Sequence, residues 1–199
     1  MPTQRKVLWL ALFALLAFPH KDAGANRASR PIEVLTVDGA RVRPLKGRGR
    51  RVTVLFFIAH DCPIANSYAP EIGRICRQYV SARIAFYVVY VESDLRPADA
   101  RKHARDYGFP CPALLDPTHR LVRRVGATVT PEVTVVQPDG RLLYRGRIDD
   151  LYVDFGTRRR EAKRHDLRLI LDAVVAGKPV RQTMTAAIGC FIPSTITKK

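Results

Sequence analysis

Residues 52–66 have the sequence VTVLFFIAHDCPIAN. The apolar run over residues 52–58 is rich in β-branched and aromatic side chains, which predicts a central strand buried on both faces. After Cys62, apolar residues recur at spacings of three and four, which predicts a helix over residues 64–80. Pro70 is expected to bend that helix, because proline donates no backbone hydrogen bond. Cys62 is therefore predicted to lie where a buried strand ends and a helix begins.

The rest of the chain predicts further strands and helices around this unit. The predicted strands are 32–37, 84–91, 133–136 and 142–144, and the predicted helices are 97–107, a short helix opened by Asp116-Pro117, and 161–176. This order predicts an α/β fold that closes with an antiparallel hairpin. The tail, residues 180–199, predicts neither helix nor strand, and we expect its apolar side chains to pack back on the domain.

The position of Cys62 has a chemical consequence. A helix N-terminus carries partial positive charge and unpaired N–H groups, which favour the thiolate and lower the pKa of a cysteine. His60 would add to this effect if protonated, whereas Asp61 would oppose it. The alternative is an inert buried cysteine.

The first residues predict a secretory signal. Arg5 and Lys6 precede an apolar run over residues 7–18, which is too short to span a bilayer, and Ala23-Gly24-Ala25 offers a cleavage pattern. We therefore expect a signal peptide at residues 1–25 and an exported domain at residues 26–199, periplasmic or secreted. An uncleaved membrane anchor is the alternative. In either location disulfides can persist.

The chain carries a formal net charge of +16. An exported protein rarely meets nucleic acid, and the basic residues do not alternate with aromatic ones, so no nucleic-acid partner is predicted. The densest basic run, Arg158-Arg159-Arg160 with Lys163 and Arg164, is typical of a solvated face. Peripheral contact with an anionic envelope surface is the alternative role for this charge.

A second motif is Thr130-Pro131, which precedes the predicted strand at 133–136. The order of strand, Cys62, helix, Thr130-Pro131 and hairpin resembles the thioredoxin superfamily. The resemblance implies a thioredoxin-like three-layer α/β/α sandwich with a mixed central sheet. It also implies that Pro131 is cis and faces Cys62.

Within that superfamily the chain is most similar to the redoxin branch, the alkyl hydroperoxide reductase / thiol-specific antioxidant group. It looks like a bacterial set with a Cys-Pro-(Ile/Leu)-Ala-Asn motif, here residues 62–66. That set also has Tyr-Arg-Gly-Arg-Ile-Asp-Asp, here residues 144–150, and a terminal Gly-Cys, here Gly189-Cys190. The resemblance spans roughly residues 30–192, nearly the whole exported chain.

Three positions depart from related sites. Ala65 replaces the second cysteine of Cys-x-x-Cys, so Cys62 cannot close a local disulfide. Ala59 stands where a typical peroxiredoxin has a threonine that orients the peroxide, and Asn66 stands where a copper-delivery relative has a cysteine. The five histidines show no ligand spacing. No metal and no cofactor is therefore predicted.

Cys62 needs a second thiol to resolve its product. Cys76 follows in the same predicted helix and would lie about 20 Å away at a rise of 1.5 Å per residue, beyond disulfide reach. Cys111, between two prolines, and Cys190, on the tail, remain candidates, and we favour Cys190. The alternatives are that Cys190 is a small buried apolar residue or that it pairs with Cys111.

Three further residues are candidate supporting groups. Thr130 precedes the proline of the motif, and Asn66 could hydrogen-bond the surroundings of Cys62 or cap a kink. Arg147 follows the hairpin, and an arginine near a thiolate lowers its pKa.

The leading hypothesis is an exported thiol oxidoreductase of the redoxin type. Cys62 attacks a protein disulfide or a peroxide, Pro131 shapes the substrate groove, and an external thiol reductant restores the protein. The alternative is a catalytically inactive thioredoxin-fold module that binds or scaffolds other proteins of the cell envelope.

Overall fold

The fold is organised around the strand predicted at residues 52–58. A computed structural model describes residues 31–193, apart from residues 48 and 182. The predicted signal peptide therefore lies outside the described residues, as do residues 194–199. The strands are β1 (Val34–Thr36), β2 (Arg41–Val42), β3 (Val52–Ile58), β4 (Ile84–Tyr90), β5 (Ala113–Leu115), β6 (Val129–Thr130), β7 (Glu132–Val136), β8 (Leu142–Gly146), β9 (Tyr152–Asp154), β10 (Thr157–Arg158), β11 (Thr183–Met184) and β12 (Cys190–Phe191). The helices are α1 (Pro63–Ser67), α2 (Ala69–Gln78), α3 (Pro97–Asp106), α4 (Arg120–Val125) and α5 (Asp166–Val175).

The main sheet has eight strands in the order β11-β8-β7-β3-β4-β5-β1-β2. Strands β3, β4 and β5 are parallel, whereas β7 is antiparallel to both β3 and β8. All residues of β3 are buried, as its unbroken apolar sequence predicts. The predicted α/β fold with a mixed sheet and a closing hairpin is confirmed. Because β3 and β4 end at the same edge, with Ile58 opposite Tyr90, the residues that follow both strands lie close together.

The helix predicted over residues 64–80 is divided into α1 and α2. The break falls at Tyr68, and Pro70 lies in the first turn of α2. A proline is tolerated there because the first N–H groups of a helix have no partner within the helix. The expected effect of Pro70 is confirmed, and it leaves Cys62 as the N-cap residue of α1.

The last helix begins at Asp166 rather than at residue 161. The residues before it instead form the β9–β10 hairpin and a loop held by Asp150, whose carboxylate accepts the N–H groups of Lys163 and Arg164 at 2.6 and 2.8 Å. Arg159 also pairs with Asp150 at 3.4 Å. Part of the basic run therefore contacts an acidic side chain, and the run is not simply a solvated face.

The tail returns to the domain through two short strands. Strand β11 adds to the main sheet parallel to β8, and β12 pairs antiparallel with β6. The expectation that the tail packs back is met, but neither strand was predicted. Along the part of the chain that the structure describes, no helix has both the length and the apolar character needed to cross a membrane.

Candidate active site

Cys62 lies at the carboxyl end of the sheet, four residues after β3. Its Sγ atom is 2.7 Å from the Sγ atom of Cys190, and both cysteines are free thiols. The Cys62 thiol also lies 3.1 Å from the carbonyl oxygen of Thr130, to which it can donate. On its other side, the backbone N–H of Ala65 donates to Cys62 Sγ at 3.5 Å. The structure thus brings together Cys62, Cys190 and Thr130, three of the residues considered from sequence.

These contacts determine the pKa of Cys62. Burial raises the pKa, but hydrogen bonds with Cys190, Ala65 and Thr130 lower it, and the net result is a pKa below the usual cysteine value. The Ala65 N–H is one of the unpaired donors of the helix start, as the position at a helix N-terminus predicts. The Cys62 thiolate is therefore the favoured charged species of the pair.

Cys190 reaches Cys62 because β12 lies along β6. Cys190 is the register partner of Thr130, and the N–H of Ile192 extends the pairing to the carbonyl of Thr128 at 3.0 Å. Gly189 allows the close approach, because a Cβ atom at this position would overlap the carbonyl oxygen of Thr130. Burial, the neighbouring Cys62 and the charge of Asp61 raise the pKa of Cys190 to about 12. The charge of Asp61 thus opposes ionisation of Cys190.

The Thr130–Pro131 peptide bond is cis. The Thr130 carbonyl faces Cys62, while the Thr130 hydroxyl lies 3.5 Å from the Cys190 carbonyl oxygen. Pro131 lines a small cavity with Tyr68 and Ile188. Thr130 and Pro131 therefore position the backbone that contacts both the Cys62 thiol and the tail strand β12.

Asn66 holds the loop before Cys62. Its side-chain amide donates to the carbonyl of His60 at 2.9 Å, and its oxygen lies 3.0 Å from Nε2 of His103. The other ring nitrogen of His103 is 2.8 Å from the hydroxyl of Tyr90. Burial, followed by the charge of His60, lowers the pKa of His103, which favours a neutral ring that donates to Asn66. Asn66 is thus a positioning residue for the loop.

Glu92 holds the same loop from the other side. Its Oε1 atom accepts the backbone N–H of His60 at 2.5 Å and lies 2.7 Å from Nδ1 of the same residue. Sequence reasoning missed Glu92 and His103. A usable indication for Glu92 was its place just after β4, because side chains at the carboxyl ends of adjacent parallel strands meet at one edge.

Two sequence candidates are not brought to Cys62. The guanidinium of Arg147 pairs with the buried carboxylate of Asp166 at 2.7 Å, and no hydrogen bond joins it to Cys62 among the described residues. Cys111 lies beside Cys76 instead. The neighbouring Cys111 thiol and burial raise the pKa of Cys76 well above the ordinary value. Cys76 and Cys111 form a second thiol pair, which the sequence did not predict.

A cavity of about 620 Å³ opens beside Cys190. Ala59 and Asp61, from the loop before Cys62, line it together with Thr130 and Cys190. Cys62 itself is only 1% exposed. Of the two cysteines, Cys190 therefore lines the cavity and Cys62 lies behind it.

Two groups of side chains among the described residues have the atoms to hold a metal ion. They are His60, Asp61 and Glu92, and Glu71, Asp149 and His165, with ligand atoms within 4.8 Å of one another in each group. Most of these donors already have protein partners: His60 contacts Glu92, Arg168 pairs with Glu71 at 2.7 Å, and Tyr68 donates to Asp149 at 2.7 Å. Neither group includes Cys62. The absence of a metal or cofactor stays a prediction.

The chain is similar to known proteins in sequence and in structure. The model of the AhpC/TSA family matches residues 27–145. Among curated proteins, none matches this chain. An uncharacterized conserved protein from Geobacillus kaustophilus has a similar structure, with a TM-score of 0.70, 26% identity, and coverage of 84% of this chain and 90% of that chain.

Two further solved structures share the fold. A hypothetical protein from Sinorhizobium meliloti 1021 has a TM-score of 0.69, 23% identity, and coverage of 83% of this chain and 91% of that chain. A secreted Mycobacterium tuberculosis disulfide oxidoreductase homologous to E. coli DsbE has a TM-score of 0.50, 17% identity, and coverage of 74% and 96%. The thioredoxin-like three-layer α/β/α sandwich is thereby confirmed. Since the family model matches more than half of the sequence, the chain belongs to the AhpC/TSA family.

Proposed function

We propose that the chain is an exported thiol–disulfide oxidoreductase that cycles Cys62 and Cys190 between two thiols and one disulfide. The observation that carries the proposal is the 2.7 Å separation of the two sulfur atoms. A disulfide has a sulfur separation of about 2.05 Å, so only a small movement closes the bond. The lowered pKa of Cys62 supplies the thiolate that such chemistry needs.

The reaction begins with Cys62 as the nucleophile. Its thiolate attacks one sulfur of a substrate disulfide, forms a mixed disulfide, and releases the other substrate sulfur as a thiolate, which takes a proton from water. Cys190 then loses its proton to solvent and attacks the Cys62 sulfur. The second substrate thiolate leaves, the Cys62–Cys190 disulfide remains, and the substrate has gained two electrons. An external dithiol returns two electrons to restore both protein thiols.

The mixed disulfide changes the electrostatics at Cys190. The neighbouring Cys62 is one cause of the high pKa of Cys190, after burial. Once Cys62 is bonded to the substrate its negative charge is gone, so that contribution disappears and the Cys190 thiolate forms more readily. The pair therefore favours the order in which Cys62 reacts first and Cys190 second.

Access to Cys62 requires movement of the tail. Cys62 is 1% exposed and is covered by Cys190, which sits on a strand of two residues. So short a strand can separate from β6 at small cost, because few backbone hydrogen bonds hold it. We infer that β12 moves aside to admit the substrate and returns to deliver Cys190.

A disulfide suits this site better than a peroxide. Ala59 is buried before the Cys62 loop and has no hydroxyl to orient a peroxide oxygen. A disulfide substrate needs only an approach to Cys62 and a second thiol nearby, and the cavity and Cys190 supply both. Protein thiols and disulfides are thus the proposed partners.

Export is part of the proposal. The N-terminal sequence has the pattern of a cleaved signal, and a neighbour of the same fold is described as secreted. A periplasmic or extracellular location would allow a disulfide between Cys62 and Cys190 to persist.

A single-turnover assay tests the proposed function. Reduced protein is mixed with 2-hydroxyethyl disulfide, quenched with acid, alkylated and mapped by mass spectrometry. We expect Cys62 and Cys190 to lose their thiols together in the wild type. Cys62→Ser should abolish this rapid loss of thiols, because the raised pKa of Cys190 leaves it a poor nucleophile. Cys76→Ser is the matched control and should keep the wild-type rate.

Two outcomes would contradict the proposal. If Cys62→Ser kept the wild-type rate, Cys62 would not be the nucleophile. If the wild type itself did not react, the protein would be better described as a thioredoxin-fold binding or scaffold module of the envelope.

A further inference from the structure

The cavity beside Cys190 has a charge opposite to that of the whole chain. Asp61, Glu92 and Asp94 line it, and no lysine or arginine among the described residues does. The chain as a whole carries a formal net charge of +16, with 34 lysines and arginines. The approach to the thiol pair is therefore an acidic opening in a basic protein.

Most other carboxylates of the described chain are neutralised by arginine. Asp166, for example, pairs with both Arg147 and Arg164 at 2.7 Å. By contrast, no lysine or arginine within the described residues forms an ion pair with Asp61, Glu92 or Asp94. Glu92 already contacts His60, whereas the charges of Asp61 and Asp94 are available to a group that enters the cavity.

Glu92 gives an independent indication of what that group carries. Its Oε1 atom accepts two contacts from His60, but its Oε2 atom is buried and has no hydrogen-bond partner in the described part of the chain. A buried carboxylate oxygen without a donor is unfavourable, because it has lost its contacts with water. Because Glu92 lines the cavity, a cationic N–H donor held there would satisfy this oxygen once the Glu92 side chain turns towards it.

We propose that this acidic cavity is a binding site for a cationic side chain of the substrate protein, so that the site selects disulfides flanked by lysine or arginine. The proposal rests on the proposed function, since it places the substrate disulfide at Cys62. Thr130 and Cys190 line the same cavity, so a side chain held there belongs to a residue near the substrate disulfide. The attraction acts before any bond forms and therefore raises the rate of encounter.

The test uses three short cyclic peptides that contain the same disulfide flanked by lysine, by glutamine or by glutamate. Each is mixed with the reduced full-length protein in EDTA, so that no metal ion occupies the carboxylates. Each rate is divided by the rate of dithiothreitol with the same peptide, which cancels the intrinsic reactivity of the disulfide. We expect the lysine peptide to react at least about tenfold faster than the glutamate peptide at low ionic strength. The ratio should fall towards one at high salt.

Asp94→Asn is the informative variant, because Asp94 lines the cavity but contacts neither cysteine. It should lower the lysine-to-glutamate ratio by about two- to threefold. Glu161→Gln is the matched control: it makes the same change in net charge at an exposed residue outside the cavity, and it should leave the ratio unchanged.

The outcomes separate this inference from the proposed function. If the glutamine peptide is not reduced at all, the oxidoreductase proposal fails. If all three peptides react at equal normalised rates, or if Asp94→Asn and Glu161→Gln have the same effect, the thiol chemistry stands and the cationic-substrate inference is overturned.

Discussion

The two thiol pairs of this protein differ in the groups that surround them. Cys62 and Cys190 meet at the carboxyl end of β3, where α1 begins and the tail strand crosses. Cys76 and Cys111 meet where the last turn of α2 approaches the segment before β5. Each pair places two thiols side by side, yet the pKa of Cys62 is lowered and that of Cys76 is raised.

Burial cannot account for the difference, because both Cys62 and Cys76 are almost fully buried. Cys62 accepts hydrogen bonds from the Cys190 thiol and from an N–H at a helix start. Cys76 has the thiol contact with Cys111 but lies near a helix C-terminus, whose partial negative charge disfavours a thiolate. The two cysteines therefore differ in the effect of the neighbouring thiol, which lowers the pKa of Cys62 and raises that of Cys76, and in the helix end at which each lies.

The largest expected effect follows from removing Cys190. Cys190→Ala deletes both the resolving thiol and a hydrogen bond that lowers the pKa of Cys62. We expect the mixed disulfide on Cys62 to accumulate and turnover to fall by about 100-fold or more, because the attacking thiol loses the proximity that accelerates closure. Intact mass spectrometry after mixing with a neutral disulfide would detect the trapped adduct.

The pH dependence gives a second readout of the same variant. The rate of the first attack should rise with pH and level off above the pKa of Cys62. In Cys190→Ala this profile should move to higher pH, because the Cys62 thiolate loses a hydrogen-bond donor and the pKa of Cys62 therefore rises. The matched control is Cys111→Ala, which removes one member of the other pair. A trapped adduct in both variants, or in neither, would contradict the distinction between the pairs.

A smaller effect is expected from Gly189→Ala. The added methyl group would overlap the carbonyl oxygen of Thr130 and force β12 away from β6. We expect closure of the Cys62–Cys190 disulfide to slow by about tenfold, because Cys190 must then reach Cys62 from a displaced strand. Rapid-quench alkylation would measure this step.

Gly73→Ala is the control for that substitution. It makes the same chemical change within α2, where the new methyl group meets only the flexible end of Arg77. Closure at the wild-type rate in Gly189→Ala would show that the tail strand does not set the position of Cys190.

The smallest effect concerns stability. Cys76→Ser places a more polar hydroxyl at a site that is 5% exposed. We expect the free energy of unfolding to fall by about 1–2 kcal/mol, with turnover unchanged. Urea denaturation would measure this change. Cys111→Ser, at a half-buried position, should lower the free energy of unfolding by less. A loss of turnover in Cys76→Ser with the fold intact would give the second pair a role in the reaction.

Much of the fold could be predicted because local patterns decide it. The apolar run over 52–58 fixed β3 at its observed limits, and Pro70 correctly indicated an interruption of the following helix. The start of α5 was misplaced because Asp150 binds the backbone of residues 163 and 164, a contact between distant parts of the sequence.

The candidate site was only partly accessible to sequence reasoning. The placement of Cys62 at a helix start followed from a local pattern, whereas the choice of Cys190 over Cys111 depended on how a tail without clear periodicity would pack. The ion pair of Arg147 with Asp166 could not be predicted from the sequence, because only the fold brings the two side chains together. The Cys76–Cys111 contact joins a helix to a loop across the core, and no sequence spacing indicates it.

The central claim is that Cys62 and Cys190 form the redox-active pair and that Cys76 and Cys111 do not. One measurement addresses it directly: the reduced protein is treated with one equivalent of 2-hydroxyethyl disulfide at neutral pH, and the remaining thiols and the cystine peptide are mapped by mass spectrometry. The account predicts a single cystine that joins Cys62 to Cys190, with Cys76 and Cys111 still free. A first cystine between Cys76 and Cys111, or no cystine at all, would contradict it.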